Sequence, residues 1–167
     1  MKYTKASLCF LVQDNEVLLA EKQDKIGVGK LNGFGGKFEP EVDNDIFDTN
    51  TREVFEESNL RIKIAEKLGY VVFHNPSSDP GLARMAVSVF RASEFEGEIK
   101  ETNEMKKIKW FKIEDLNYDE FLPADSHFVP LALEGKHFKG FFKYKFGKDG
   151  KTWELVEDKS WVKEINT

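Results

Sequence analysis

A single cysteine, Cys9, among 167 residues excludes an internal disulfide and any zinc site assembled from several cysteines. It lies in an apolar run, Ser7-Leu8-Cys9-Phe10-Leu11, and reads as a buried core residue rather than a nucleophile. The three histidines, His74, His127 and His137, are too scattered to suggest ligand spacing. Positive charge is not in excess. The net charge is −5, which disfavours non-specific binding to nucleic acid or to a membrane surface. An anionic substrate then needs a cation to bridge it to the protein. No apolar run reaches the length of a membrane span and the start does not resemble a signal sequence, so a cytoplasmic protein is expected. Repeats, linkers and low-complexity stretches are also missing. With 40% hydrophobic and 33% charged residues, the chain reads as one globular domain over 1–167, expected to be a monomer.

What the chain has is a concentration of carboxylates behind a glycine-rich run. Gly33-Phe34-Gly35-Gly36-Lys37-Phe38 is followed by an acidic segment and then by Arg52-Glu53-Val54-Phe55-Glu56-Glu57-Ser58-Asn59-Leu60. Glu53, Glu56 and Glu57 are spaced i, i+3 and i+4, which on a helix places them on one face about 5–6 Å apart at Cβ. Three like charges so close weaken the helix unless something compensates, and a hard divalent cation held by oxygen ligands is the obvious means. The glycines let the backbone approach closely, as a polyphosphate or metal site requires. The run is not a Walker A loop, because Phe38 stands where Ser or Thr must follow Gly36-Lys37. Its glycine spacing also fails the dinucleotide fingerprint.

Around this stretch the pattern alternates strand and turn signals. Ala6–Val12 and Val17–Ala20 read as a hairpin turning at Gln13-Asp14-Asn15-Glu16, and Lys25–Lys30 as a loop. Pro40–Asn44 reads as an acidic loop, with Asp43, Asn44 or Asp45 capping a helix that runs to about Ser58. Gly69–His74, Arg84–Arg91 and Lys106–Ile113 read as strands, and Asn75–Gly81 as a loop. Asp115–Phe121 suggests a short helical turn, and Ser126–Gly135 a helix whose first turns Pro130 restricts. Lys139–Phe146 and Trp153–Val156 flank Gly147-Lys148-Asp149-Gly150 as a second hairpin.

The central stretch resembles the Nudix box, Gly-x5-Glu-x7-Arg-Glu-U-x-Glu-Glu-x-Gly-U with U aliphatic. Arg52, Glu53, Val54, Glu56, Glu57 and Leu60 match its second half. Gly36 and Arg52 are two positions further apart than the pattern has them, the usual first glutamate falls on Asn44, and the last glycine is Asn59. Asparagine tolerates the left-handed conformation that ends a helix, so that last change is mild. The missing glutamate leaves Arg52 to find a partner among Asp43, Asp45 and Asp48. Outside the box, Asn32-Gly33-Phe34-Gly35-Gly36-Lys37, Trp110-Phe111, Leu122-Pro123-Ala124-Asp125-Ser126, Phe128-Val129-Pro130-Leu131 and Phe138-Lys139-Gly140-Phe141-Phe142 resemble the MutT-homologue branch of the family, which hydrolyses oxidised purine nucleoside triphosphates.

The resemblance implies an α+β protein with the Nudix fold, an α/β/α sandwich whose curved mixed sheet carries the box as loop-helix-loop. It implies hydrolysis of a nucleoside triphosphate to monophosphate and pyrophosphate, with Mg²⁺ as cofactor and Mn²⁺ as the alternative. The metal ligands it implies are Glu53, Glu56, Glu57, the carbonyl of Gly35, and Glu104, with Arg52 beside the catalytic glutamates. Ser7, Lys22, Asn32, Phe73, Leu122 and Asp125 fall at base-pocket positions. Lys37 is a candidate phosphate contact. Leu122 replaces a tryptophan and Ala124 the first of two adjacent aspartates. Without that second carboxylate Asp125 loses one reason to stay protonated, so an ionised Asp125 and a less selective purine pocket are expected. Two other readings stand beside this one. One is a Nudix pyrophosphatase for a nucleoside diphosphate derivative such as ADP-ribose. The other is an inactive Nudix-like binding module, against which the intact Glu53, Glu56 and Glu57 argue.

Overall fold

The computed structural model describes residues 2–23 and 27–166; the first part of the expected Lys25–Lys30 loop therefore lies outside the described residues. In chain order the elements are β1 (Thr4–Gln13), β2 (Glu16–Lys22), β3 (Leu31–Asn32), α1 (Ile46–Ser58), β4 (Arg61–His74), α2 (Pro80–Ala83), β5 (Arg84–Glu96), β6 (Met105–Lys112), α3 (Asp125–Leu133), β7 (Phe138–Phe146), β8 (Trp153–Leu155) and β9 (Trp161–Glu164). Short 3₁₀ turns at Ile113–Asp115 and Tyr118–Glu120 fill the segment before α3. Among the described residues, no helix is long and apolar enough to cross a membrane.

The sheet is mixed. β1 runs parallel to β5 with Ser7 opposite Ser88, and β4 lies antiparallel to β5 and parallel to β7. β2 joins β1 through a tight turn in which Asp14 and Asn15 both have positive φ, 51° and 62°. That is the backbone twist two-residue hairpins favour, and these two residue types tolerate it. Alternate residues of the central strands feed two separate cores. Phe10, Val17, Leu19, Val87 and Val89 pack with Phe128, Val129 and Ala132 of α3. Cys9, Leu11, Leu18, Ala20, Phe90 and Ala92 pack with Val54 of α1. The curved sheet is thus sandwiched between α1 and α3, as the resemblance implied. From Ala86 to Phe90 both faces of β5 are buried, so apolar side chains occupy odd and even positions alike.

Several boundaries differ from the sequence reading. β4 and β5 extend well beyond Gly69–His74 and Arg84–Arg91, because their outer halves pair as a long bulged ribbon, Arg61–Glu96 to Lys67–Phe90, that is largely solvated. β3 and β9 were not expected. Each is held by pairing with its neighbour, β2 and β7 respectively, rather than by its own pattern. Pro130 sits inside α3 without ending it. The segment Pro40–Asn44 is a turn, as expected, with the Val42 and Asp43 N–H groups both donating to the Glu39 carbonyl.

Candidate active site

The glycine run lies beside β1 rather than projecting as a free loop. Cys9 N–H donates to the Phe34 carbonyl (2.6 Å), Ser7 N–H to Gly36 (2.9 Å), and Phe38 N–H to Lys5 (2.9 Å). The fit is close enough to demand glycine. A Cβ on Gly35 would sit 1.9 Å from the Ser7 carbonyl oxygen, and one on Gly36 would sit 2.3 Å from the Glu53 carboxyl carbon. The close approach expected from sequence is therefore one of backbone to strand and of backbone to carboxylate.

α1 starts at Asp45, whose carboxylate accepts from Asp48 N–H (3.0 Å), and ends at Asn59 with φ 69°, its N–H donating to the Phe55 carbonyl. Asn44 is not the cap. It offers only its backbone N–H, to Asp48 (2.9 Å), and it is exposed. The face α1 turns inward is unusually polar, with Thr49, Asn50 and Glu57 buried beside Val54. Arg52 answers the charge on this helix. Its Nε and Nη2 donate to the two carboxylate oxygens of Asp43 (2.9 and 2.8 Å), and its Nη1 donates to Glu53 (2.9 Å) and Glu56 (3.3 Å). Nη2 also reaches the Lys37 carbonyl (3.1 Å) and so ties the glycine run to the helix. Asp43, nearly fully buried, also accepts from Thr49 Oγ1 (2.8 Å) and Glu39 N–H (3.0 Å). The Arg52 guanidinium, with these donors, holds the Asp43 carboxyl far below the usual range. Of the three aspartates offered by sequence, Asp43 is thus the partner. The repulsion among the glutamates is met in part by this internal cation.

Glu57 accepts from Gly35 N–H (2.8 Å). Burial raises its pKa to about 8, and the Glu53 and Glu104 carboxylates add to the rise against that hydrogen bond. Burial also raises Glu53, with Arg52 opposing. Glu104 reaches the site because its segment is laced to the end of α1. Lys100 N–H donates to the Ser58 carbonyl (2.9 Å), Asn59 Nδ2 to Glu98 (2.8 Å), and Gln23 N–H to the Glu104 carbonyl (3.0 Å). Its carboxyl lies close enough to Glu57 to push the Glu57 pKa further up. Neighbouring carboxylates are eased by a shared proton or a cation.

Among the described residues no three acidic or histidine side chains are already arranged as a metal site. Arg52 draws Glu53 and Glu56 one way, and Gly35 draws Glu57 the other. The donor chemistry nevertheless suits a hard divalent cation: Glu53, Glu56, Glu57, Glu104 and the backbone of Gly35 border one space, and the mutual repulsion of Glu53, Glu57 and Glu104 is relieved by positive charge.

That space is a cavity of about 350 Å³, and it continues from the carboxylates to an apolar end. Every expected site residue lines it except Arg52, which stands behind: Ser7, Lys22, Asn32, Gly35, Lys37, Glu53, Glu56, Glu57, Phe73, Glu104, Leu122 and Asp125. Asn32 Oδ1 accepts from Gly33 N–H (2.9 Å), which leaves its amide NH₂ pointing the pocket's chemistry toward donation. Ser7 Oγ is buried with no hydrogen-bond partner among the described residues. Asp125 opens α3, and Ala124 stands at the cap without a side-chain cap bond. Burial pushes the Asp125 carboxyl up to about 7, with the Lys22 charge opposing. The expectation of a fully ionised Asp125 is corrected: desolvation alone supplies what the missing second aspartate does not.

Sequence reasoning missed Tyr144 and Trp153, which line the same cavity from β7 and β8. Phe73 stacks on Tyr144 (centroids 6.3 Å, 4°), and Tyr144 lies 5.5 Å from Trp153. The alternation of Phe142 and Tyr144 along β7 was a signal for one shared face. Nothing local marks Trp153. It reaches the cavity only through the β7–β8 hairpin, where it pairs with Phe146.

Comparison with known proteins agrees with this geometry. Residues 2–132 match the NUDIX domain family. The oxidized purine nucleoside triphosphate hydrolases of Danio rerio and Mus musculus are each 35% identical over 139 residues, covering 83% of this chain and 85% of theirs. The crystal structure of a MutT protein from Bacillus halodurans superposes with a TM-score of 0.76 at 24% identity, covering 96% of this chain and 97% of its own. The box residues gathered on α1, the glycine run locked beside β1 and the family match over most of the sequence leave one assignment: this chain is a Nudix hydrolase.

Proposed function

We propose that the protein hydrolyses oxidised purine nucleoside triphosphates to the monophosphate and pyrophosphate. The observation that carries this reading is the continuity of the cavity. A cluster of carboxylates at one end and an aromatic, amide- and carboxyl-bearing pocket at the other fit a polyphosphate and a purine on the same molecule. The hydrolases of Danio rerio and Mus musculus named above support the substrate class.

Glu53, Glu56, Glu57, Glu104 and the Gly35 carbonyl would hold Mg²⁺. When bound, such an ion neutralises phosphate oxygens and makes a coordinated water more acidic. The chain's own residues do the rest. Arg52 holds Glu53 and Glu56 next to each other through Nη1 and so offsets their mutual repulsion. Water adds to phosphorus, the anhydride P–O bond breaks, and the proton passes to Glu53, whose proton affinity burial raises, or to Glu57 in its ionised form. Lys37 borders the phosphate end. At the other end Phe73 and Tyr144 supply flat apolar surface, while Asn32 and Asp125 face the purine edge. With its carboxyl near neutrality, Asp125 donates when protonated and accepts when ionised.

Pyrophosphate release is measured with Mg²⁺ on 8-oxo-dGTP, dGTP and ADP-ribose, for wild type and Glu56→Gln. The expected result is release from the oxidised triphosphate and its loss in the variant. Turnover of ADP-ribose alone moves the substrate class, and full activity of Glu56→Gln removes the cluster from the chemistry.

A further inference from the structure

The last carbonyls of α1 have no partner within the helix and are met from outside it. A backbone N–H, that of Lys100, serves Ser58. Glu57 is served by a side chain: Thr102 Oγ1 donates to its carbonyl (3.5 Å). The same hydroxyl accepts from Met105 N–H (3.2 Å), and Thr102 N–H donates to the Met105 carbonyl (3.1 Å). Thr102 and Met105 thereby close a tight turn whose two middle residues are Asn103 and Glu104. Both ends of the turn are anchored. The Met105 side chain is buried in the core that packs against α1, and Thr102 rests on α1 itself. Glu104 is exposed at the rim of the cavity, so the turn rather than surrounding packing sets where its carboxylate stands. No step described above uses Thr102.

We infer that Thr102 is a positioning residue for the divalent cation, its hydroxyl joining the main chain at Glu57 to the main chain beside Glu104 and so setting the spacing of those two carboxylates; the inference rests on the metal reading of the site above. Glu53, Glu56 and Glu57 need no such device, because one helix fixes their spacing. Glu104 comes from a separate loop, and its distance from the other three has to be set by contacts across the chain. A hydroxyl suits the task because one atom donates to one backbone and accepts from another. Without it the Glu57 carbonyl loses its donor and Met105 N–H its acceptor, and Glu104 has to be ordered at the moment the ion binds.

The test is calorimetry with Mn²⁺ and no nucleotide, on wild type, Thr102→Val, Thr102→Ser, Glu104→Gln and the Thr102→Val, Glu104→Gln double variant. Valine keeps the branched shape and removes the hydroxyl, while serine keeps the hydroxyl. The Mn²⁺ Kd is expected to rise about three- to tenfold in Thr102→Val, the cost of ordering one long side chain on binding. Thr102→Ser should return it to near the wild-type value. In the Glu104→Gln background the valine change should add little, because both substitutions act through the same ligand. Thr102→Ala makes the same deletion and serves if the valine variant does not fold. A Thr102→Val protein that melts lower yet binds Mn²⁺ as wild type does has lost only structure, which overturns the inference. A full further loss in the Glu104→Gln background, or no recovery in Thr102→Ser, overturns it too. Wild type that takes up no Mn²⁺, or Glu104→Gln that binds it as tightly as wild type, is a distinct result: it removes the metal reading of the site, and the inference with it.

Discussion

Replacing Asp43 with asparagine should weaken both the fold and the catalytic end of the cavity. The carboxylate accepts four hydrogen bonds: two from Arg52, one from Thr49 and one from Glu39 N–H. Its side chain is 2% exposed and that of Arg52 20%. Removing one partner of a buried ion pair costs about 3–5 kcal/mol. Here Arg52 keeps Glu53 at 2.9 Å and the Lys37 carbonyl at 3.1 Å, so a loss of about 2–3 kcal/mol at pH 7 is expected. Asparagine is nearly isosteric but turns an NH₂ toward groups that are all donors. Urea unfolding of wild type and Asp43→Asn across pH 7 to 3 measures it. Asp43 is depressed in the folded state, so its contribution is complete above the ordinary aspartate pKa near 4 and is lost as pH falls from there toward the folded value. The two stability curves should therefore run parallel above about pH 5 and begin to converge below about pH 4. Equal stability at pH 7, or a gap that widens toward pH 3, would refute the clamp. Turnover should fall with it, since Glu53 and Glu56 lose the anchor behind Arg52.

Three other outcomes are expected. In chelator, Glu57→Gln should stabilise the protein by about 1–3 kcal/mol at pH 9 and little at pH 5, because between the ordinary value of 4.5 and about 8 the unfolded carboxyl ionises while the buried one keeps its proton, and wild type loses stability across that window; pH-independent urea midpoints would contradict this. Asp45→Ala should cost about 0.5–2 kcal/mol as the loss of a helix cap, whereas Asn44→Ala should stay within about 0.5 kcal/mol of wild type; thermal melts decide. Trp153→Ala should raise KM for purine triphosphates about three- to tenfold with kcat held, as expected for lost stacking that is the same in ground and transition states; an unchanged KM would take Trp153 out of the pocket.

The catalytic end was legible in sequence because its residues sit on one helix, where spacing alone puts Glu53, Glu56 and Glu57 together. Glu104 was reachable only through the resemblance, since its arrival depends on a loop laced to Ser58 and Asn59. Asp43 could be narrowed to three aspartates and no further: the turn from Glu39 to Asp43, not the position in the motif, decides which one meets Arg52. The base end was harder to read. Tyr144 and Trp153 come together with Phe73 by the β4–β7 pairing and the β7–β8 hairpin, and long-range register leaves no mark on local pattern. The protonation of Asp125 turned on burial, which a count of neighbouring charges does not contain.

The absence of room for a side chain at Gly35 and Gly36 divides the cavity into a part that can drift and a part that cannot. A side chain at Gly35 collides with the Ser7 carbonyl, and one at Gly36 with the Glu53 carboxylate. The phosphate end thus joins this fixed main chain to the carboxylates of Glu53, Glu56, Glu57 and Glu104, and mutation has little to vary there. The base end is walled by side chains from several separate stretches, among them those around Asn32, Phe73 to Leu82, Leu122 to Phe128, and Tyr144 to Trp153. Each can be exchanged without touching the carboxylates. A lineage built on this scaffold can change which nucleotide it accepts many times over while breaking the same bond throughout.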